Sequence, residues 1–334
     1  MQYIRLGRSG LYVSKICLGT ANFGTGTSSG YGDWGVVNEK DAFRIMDHAL
    51  DCGIQFFDTA NVYGGKEHRG LTETIIGHWF AQGGYRRERV LLATKVGRIF
   101  EQSIVDGPNN VEGQSKYKIR RHVEDSLRRL QTDHIELIQM HKADPITSWD
   151  EIWDGFCRLS DAGKIDYVGA SNHAAWQLVK AQECAARRGH MGLVSEQHLY
   201  TPMSRLAEKE LLPMAEDYGI GITIFSPLFR GLLGVDAQNP GIRAMSAECS
   251  TLFERWHERI VRYSALCREI GQREACVTLA WELSQPAVNS VIVSPTCIRD
   301  LDELLPAAEL ALDQSVMDEI DRIFPPVEEP SPYL

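Results

Sequence analysis

Four polar residues in the first half of the chain carry the groups that a coupled proton and hydride transfer needs: Asp58 and Tyr63 in FFDTANVYG, Lys95 in VLLATKVG and His141 in IELIQMHKAD. A phenol has an ordinary pKa of about 10, so it serves as an acid near neutrality only when something favours its phenolate. A neighbouring ammonium does that, and Lys95 is the candidate. The ammonium needs a carboxylate to hold it, for which Asp58 is the right type. A carbonyl under reduction also needs a donor to fix its oxygen beside the phenol, and His141 is suited to that. Taken singly, each residue has an ordinary reading: a turn or cap for Asp58, a loop-packing tyrosine for Tyr63, a solvated lysine for Lys95.

Their placement along the chain decides between the readings. Short apolar runs at 16–18, 55–58, 90–94, 135–140, 167–170, 193–195, 221–225 and 290–293 read as strands. Between them, stretches at 42–50, 71–80, 119–130, 149–162, 177–188, 209–218, 251–270 and 275–285 have the i, i+3, i+4 apolar spacing of helices. Two polar segments joined by Gly7 to Gly10 read as a leading β-hairpin. Eight strands alternating with helices predict parallel pairing and closure into a (β/α)8 TIM barrel, with the hairpin before it and helices extending its C-terminus. In that fold chemistry sits at the C-terminal ends of the strands. Asp58, Lys95, His141, Ser171 with Asn172, Gln197 and Ser226 end or follow the second to seventh runs in order. A doubly wound sheet would place GxGxxG after the first strand, and none is there. The glycines of GTANFGTGTSSGYGDWG read instead as a long mobile loop over the barrel mouth.

Composition narrows the class. With 334 residues, 43% hydrophobic and 24% charged, the chain suits one large barrel domain over 1–334, with the Pro-rich 325–334 as a flexible tail. A formal charge of −10 opposes nucleic-acid or membrane-surface binding and leaves a small-molecule substrate as the expected partner. The polar N-terminus does not read as a signal peptide, and no apolar run approaches the ~18 residues of a membrane span, so a cytoplasmic location is expected. Eight cysteines without a CxxC pair fit reduced thiols better than a disulfide framework or a zinc site, and no metal is expected. No coiled-coil seam or apolar stripe marks an oligomer interface.

The motifs, in this order, resemble the aldo-keto reductases over nearly the whole chain: LGRSGLYVSKICLGTANFG, FFDTANVYG, ATKVG, SLRRLQTDHIELIQMHKAD, GASNH, EQHLY and FSPLFRGLLG. Among family branches they look most like the bacterial enzymes that include the NDP-hexose ketoreductases and 2,3-enoyl reductases of deoxysugar pathways. The resemblance implies a barrel that binds NADP(H), with NAD(H) as the alternative, and reduces an aldehyde or ketone, with sugar or NDP-sugar ketones among the candidates. It assigns Tyr63 as proton donor, Lys95 and Asp58 as its tuning pair, and His141 as the group orienting the substrate oxygen. It implies Thr20, Ala21 and Asp58 among the cofactor-binding residues, and Ser171, Asn172 and Gln197 on the carboxamide. Phe225 would stack under the nicotinamide, with Ser226, Pro227, Leu228, Arg230, Gly231 and Leu232 along the pyrophosphate. Ser294, Thr296 and Arg299 would lie at the 2′-phosphate. Phe23, Trp34, His173 and Phe229 are the expected substrate wall.

Two departures stand out. The last segment, VIVSPTCIRDLDELL, sets Asp300, Asp302 and Glu303 behind its nearest cation, Arg299, which suits a free ribose diol better than a phosphate. His173 stands where the family often has an aromatic or aliphatic residue, and an ordinary imidazole there would bring pH sensitivity. The resemblance also extends to potassium-channel β subunits, which use this barrel as a partner of another protein. A non-catalytic, NADP(H)-binding regulatory subunit is therefore the alternative function. The complete set of Asp58, Tyr63, Lys95 and His141 favours the enzyme.

Overall fold

The computed structural model describes residues 1–26, 35–65, 68–98, 109, 111–236 and 247–327. Residues 27–34 of the glycine-rich loop, Trp34 among them, and positions 328–334 of the expected tail lie outside them. Ten strands are described. Strands β1 (Tyr3–Arg5) and β2 (Tyr12–Ser14) form an antiparallel hairpin. The other eight are β3 (Ile16–Gly19), β4 (Phe56–Asp58), β5 (Leu91–Val96), β6 (Ile135–Met140), β7 (Ile165–Ser171), β8 (Leu193–His198), β9 (Gly221–Ile224) and β10 (Val288–Val293). All eight pair in parallel, and β10 pairs with β3 to close the barrel.

Helices α1 (Glu39–Asp51), α2 (Leu71–Ala81), α3 (Lys116–Leu130), α4 (Trp149–Asp161), α5 (Ala175–Arg187) and α6 (Leu211–Tyr218) follow successive strands. Helices α7 (Ala247–Glu269) and α8 (Glu274–Leu283) lie between β9 and β10, and α9 (Ile298–Asp302) and α10 (Gln314–Ile323) complete the chain. The starts carry local signals: Asn38, Ser115 and Ser148 each accept an amide hydrogen of the first turn through their side chains. Helix α1 buries Ala42, Ile45, Met46, Ala49 and Leu50, the face that its apolar spacing prescribes.

Period-two alternation then sorts the strand side chains into layers. Low in the barrel Cys17, Phe56, Ala93, Leu137 and Ile292 share one apolar cluster with Leu6 and Val13 of the hairpin, so the hairpin plugs the end where the strands begin. Two residues further along the same inward faces, Phe56 gives way to Asp58, Ala93 to Lys95 and Leu137 to Gln139. The switch from an apolar to a polar layer marks the end of the barrel that does chemistry. On the outward face, Thr94 donates to Glu73 Oε1 at 2.6 Å while Arg129 Nε donates to Glu73 Oε2 at 2.8 Å, fixing α2 and α3 against β5.

One buried acid lies outside this order. Glu282 of α8 is fully buried, neither carboxyl oxygen has a hydrogen-bond partner among the described residues, and burial raises its pKa well above the carboxylate range. A carboxyl that is easier to ionise unfolded, near pH 4.3, than folded stabilises the native state fully only below that pH. Stability then falls by up to ~1.4 kcal/mol per pH unit until the folded pKa is passed. Urea unfolding of Glu282→Gln across pH 5 to 8 is expected to remove that slope. Parallel pH profiles for the two chains would refute it.

Candidate active site

The register pairs Asp58 with Ala93 and Lys95 with Gln139, which sets Lys95 two residues beyond Asp58 on the neighbouring strand and on the same face. Lys95 Nζ donates to Asp58 Oδ2 at 2.5 Å, to the Thr59 carbonyl at 3.0 Å and to the Tyr63 hydroxyl at 3.2 Å. Three donors thus leave the ammonium on three acceptors, the number it has to give. The other oxygen, Asp58 Oδ1, accepts from Gln139 Nε2 at 3.0 Å and Gln197 Nε2 at 2.8 Å. Asp58, Lys95, Gln139 and Gln197 are all buried, so a charged pair sits in the barrel held by these hydrogen bonds.

Burial and charge pull against each other here. For Lys95, burial disfavours the ammonium, but the attraction and hydrogen bonding of Asp58 and Tyr63 outweigh it and its pKa is raised. For Tyr63, burial raises the pKa, Lys95 lowers it in part and Asp58 raises it again, so the net shift is upward. This corrects the expectation that the ammonium brings the phenol below its ordinary range. In a dry site desolvation of the phenolate is the larger effect, and Tyr63 is held as the protonated acid.

His141 meets Tyr63 edge to face, with ring centroids 5.9 Å apart. Burial first, then the positive charges of Lys95 and Arg98, push its pKa well below the usual imidazole value. The ring is neutral at physiological pH. Its Nδ1 is buried without a hydrogen-bond partner among the described residues, which leaves Nε2 as the nitrogen able to serve a ligand at the mouth.

The rim continues over β7 and β8. Ser171 Oγ donates to the Gln197 carbonyl at 3.0 Å and accepts from Asn172 Nδ2 at 2.9 Å, and the same amide reaches the His141 carbonyl at 3.3 Å. Asn172, exposed at the mouth, has φ +60°. Ser226, Phe229 and Arg230 are also left-handed, with φ of 49°, 44° and 59°. Four non-glycine residues in that region store strain of order 1–3 kcal/mol each, a pattern that gathers at ligand clamps. Phe225 is half-buried over the inner cluster and offers an aromatic face. Hydroxyls and amides beside an aromatic face are the donor set that a nicotinamide and its carboxamide require, so the residues present fit the cofactor.

Other sequence assignments land differently. Gln197 spends its side-chain amide hydrogens on Asp58 and on Gln139 Oε1, leaving its side-chain oxygen for a carboxamide while its backbone carbonyl takes the Ser171 hydroxyl. Thr20 is fully buried and donates its amide and hydroxyl to the Asp58 carbonyl at 3.0 and 2.9 Å, making it a strut for that strand, while Ala21 beside it is half-buried. Around the turn after β9 the amides of Phe229, Gly231 and Leu232 donate to the carbonyls of Ser226, Leu228 and Phe229, so they face inward rather than toward a phosphate. Pro227 and Leu232 are buried, while Ser226 and Arg230 remain exposed.

In the final segment Thr296 donates its amide and hydroxyl to Asp300 Oδ2 at 3.0 and 2.6 Å. Burial pushes the Asp300 pKa up, but these bonds and those from Cys297 outweigh it and hold the carboxyl below its ordinary range. Ser294 is half-buried and its carbonyl accepts from Asn22 Nδ2 at 2.6 Å. Arg299 is exposed.

The expected substrate wall is only partly at the mouth. Phe23 is fully buried in the main core, its carbonyl accepting from Thr72. His173 is buried too, with Nδ1 on the Ser171 carbonyl at 2.9 Å and its amide on Glu196 Oε1 at 2.9 Å. Burial lowers its pKa, so it supports Ser171 as a neutral ring and brings no pH sensitivity at neutral pH. Phe229 is half-buried at the turn after β9.

Two residues that position the site escaped sequence reasoning. Gln139 carries Asp58 Oδ1, and the signal for it was present: it lies two residues after Leu137 on β6, hence on the same inward face, and two residues before His141. Asn22, which ties the first loop to Ser294, had no such signal because its partner is 272 positions away. Gly169 explains how Gln139 fits. A Cβ there would lie 2.5 Å from Ser195 Oγ and 3.3 Å from Gln139 Cγ.

Comparison with known proteins agrees with this geometry. The Aldo/keto reductase family matches residues 15–324. An uncharacterized oxidoreductase of Bacillus subtilis, YrpG, is 50% identical over 325 residues, covering 97% of this chain and 96% of that protein. The versiconal hemiacetal acetate reductase of Aspergillus parasiticus is 30% identical, covering 98% of each chain. A probable voltage-gated potassium channel subunit beta of Oryza sativa subsp. japonica is also 30% identical, covering 97% and 96%. With the barrel, the buried Asp58–Lys95 pair and the neutral His141 already in place, the chain belongs to the aldo/keto reductase family and is an NAD(P)H-dependent oxidoreductase.

Proposed function

We propose that this protein reduces an aldehyde or ketone, with Tyr63 as the general acid. The supporting observation is the buried chain from Asp58 through Lys95 to the Tyr63 hydroxyl, closed by neutral His141. NAD(P)H supplies the hydride. His141 Nε2–H and the Tyr63 O–H both donate to the carbonyl oxygen, and Tyr63 gives up its proton as negative charge develops there. Lys95, held charged by Asp58, stabilises the tyrosinate that results. Burial strengthens these interactions because little water screens them.

The first substrate class we propose is a sugar or NDP-sugar ketone. Its support is the likeness of the DTANVYG and SLRRLQTDHI motifs to deoxysugar enzymes. The Aspergillus relative's name adds hemiacetal acetates to the panel. The test is NADPH oxidation with simple aldehydes, ketosugars, NDP-ketosugars and hemiacetal esters, using wild type and Tyr63→Phe. Tight NADPH binding with equal, negligible turnover by both chains would favour the regulatory-subunit reading that the rice relative represents.

For the cofactor we propose NADP(H), with Asp300 restraining the preference. Its carboxylate sits on Thr296, at the segment assigned to the 2′-phosphate, where a second anion costs affinity. Asp300→Asn keeps an oxygen for the Thr296 amide but removes the charge. It is expected to shift the ratio of KM values toward NADPH over NADH by roughly tenfold. An unchanged ratio would place the phosphate elsewhere.

A further inference from the structure

Far from the mouth, His48 and Cys52 stand one turn apart at the C-terminal end of α1, and Asp302 ends α9, which packs beside it. Since α1 runs back from the mouth, this is the end of the barrel where the strands begin. His48 Nε2 lies 2.6 Å from Asp302 Oδ1 and 3.5 Å from Cys52 Sγ, and the three ligand atoms all fall within 4.8 Å of one another. We propose that His48, Cys52 and Asp302 form a binding site for a divalent transition metal, with Zn2+ the ion that suits them best.

Imidazole, thiolate and carboxylate are the three protein ligand types that zinc takes, at about 2.0–2.3 Å, which puts neighbouring ligand atoms of a tetrahedral site about 3.3–3.8 Å apart. The sulfur and nitrogen already stand at that separation. The His48–Asp302 contact has to open by roughly 0.7 Å on the same geometry, and the Cys52 sulfur and the Asp302 oxygen, within 4.8 Å of each other, have to settle at the same spacing. The i, i+4 spacing places two ligands on one face of α1 without any backbone change. Asp302 is exposed and the other two are half-buried, so the ion has an entry path and a fourth position open to water.

The local charge favours a cation. The carboxylates of Asp302 and Asp51 both act on Cys52, and their negative potential attracts a dication, which on binding displaces the thiol proton. Sequence spacing could not reveal the site, because Asp302 is 254 positions from His48. An ion there would tie α9, and through it the segment beginning at Ser294, to α1.

Cobalt(II) titration of the reduced, metal-free full chain tests the proposal by absorption. The expected result is one equivalent bound, with a thiolate-to-cobalt charge-transfer band in the near ultraviolet and the strong visible bands of a four-coordinate ion, all displaced by Zn2+. Cys52→Ser should lose the charge-transfer band, and His48→Asn and Asp302→Asn should weaken or abolish binding, with far-ultraviolet circular dichroism unchanged in each. Absence of the band in wild type would leave a plain His48–Asp302 hydrogen bond and overturn the site. So would a band that persists in Cys52→Ser, since the ion would then be on another thiol such as the exposed Cys297.

Discussion

Tyr63→Phe is expected to lower kcat for carbonyl reduction by about 10²–10⁴-fold while leaving cofactor affinity close to wild type. The substitution removes only the hydroxyl that receives the Lys95 hydrogen bond at 3.2 Å. The aromatic ring beneath the Lys95 ammonium, 4.9 Å from its centroid, remains. Because burial holds the phenol protonated to above its ordinary pKa, wild-type kcat for reduction should stay flat through neutral pH and fall only in alkali. Steady-state kinetics and cofactor fluorescence titration check both parts. A variant within tenfold of wild type would remove Tyr63 from the chemistry.

Lys95→Met has the largest expected effect on stability. It leaves Asp58 Oδ2 without its ammonium in a fully buried setting, and breaking a buried pair by removing one partner costs about 3–5 kcal/mol. Adding Asp58→Asn to that variant removes the stranded charge, so the double substitution should recover part of the loss even though neither protein reduces carbonyls. Urea unfolding of the wild type, both single variants and the double gives the coupling energy directly. Additive losses would mean that the pair is not coupled, and the account of Asp58 as the holder of Lys95 would fail.

The alternation of strands and helices was legible because each element follows local periodicity, and the eight strands of the barrel fall where the apolar runs do. Boundaries were less legible. Lys95 and Gln197 lie inside their strands rather than after them, since pairing with Gln139 and Thr223 extends the ladders beyond the apolar stretches. Polar residues end an apolar run in sequence, but inside a closed barrel they continue the strand, provided that they find each other. Phe23 and His173 went the other way: both read as pocket residues, yet close packing withdrew them from the mouth.

Residue type and local period, which depend only on neighbours in the chain, set the order of elements, the placement of Asp58, Lys95 and His141 near the C-terminal ends of successive strands with Tyr63 in the loop after β4, and the kind of chemistry those groups perform. Burial and charges brought from other strands, which only the folded barrel supplies, set the protonation of Tyr63, Lys95 and His141. The fold made Tyr63 a stronger-held acid than its lysine neighbour implied, kept His141 neutral and put Gln139 and Gln197 on Asp58. It also turned Asp300 onto Thr296 and joined His48 and Cys52 to Asp302, contacts between groups whose separation along the chain carries no spacing signal or whose bonding depends on how the segment folds.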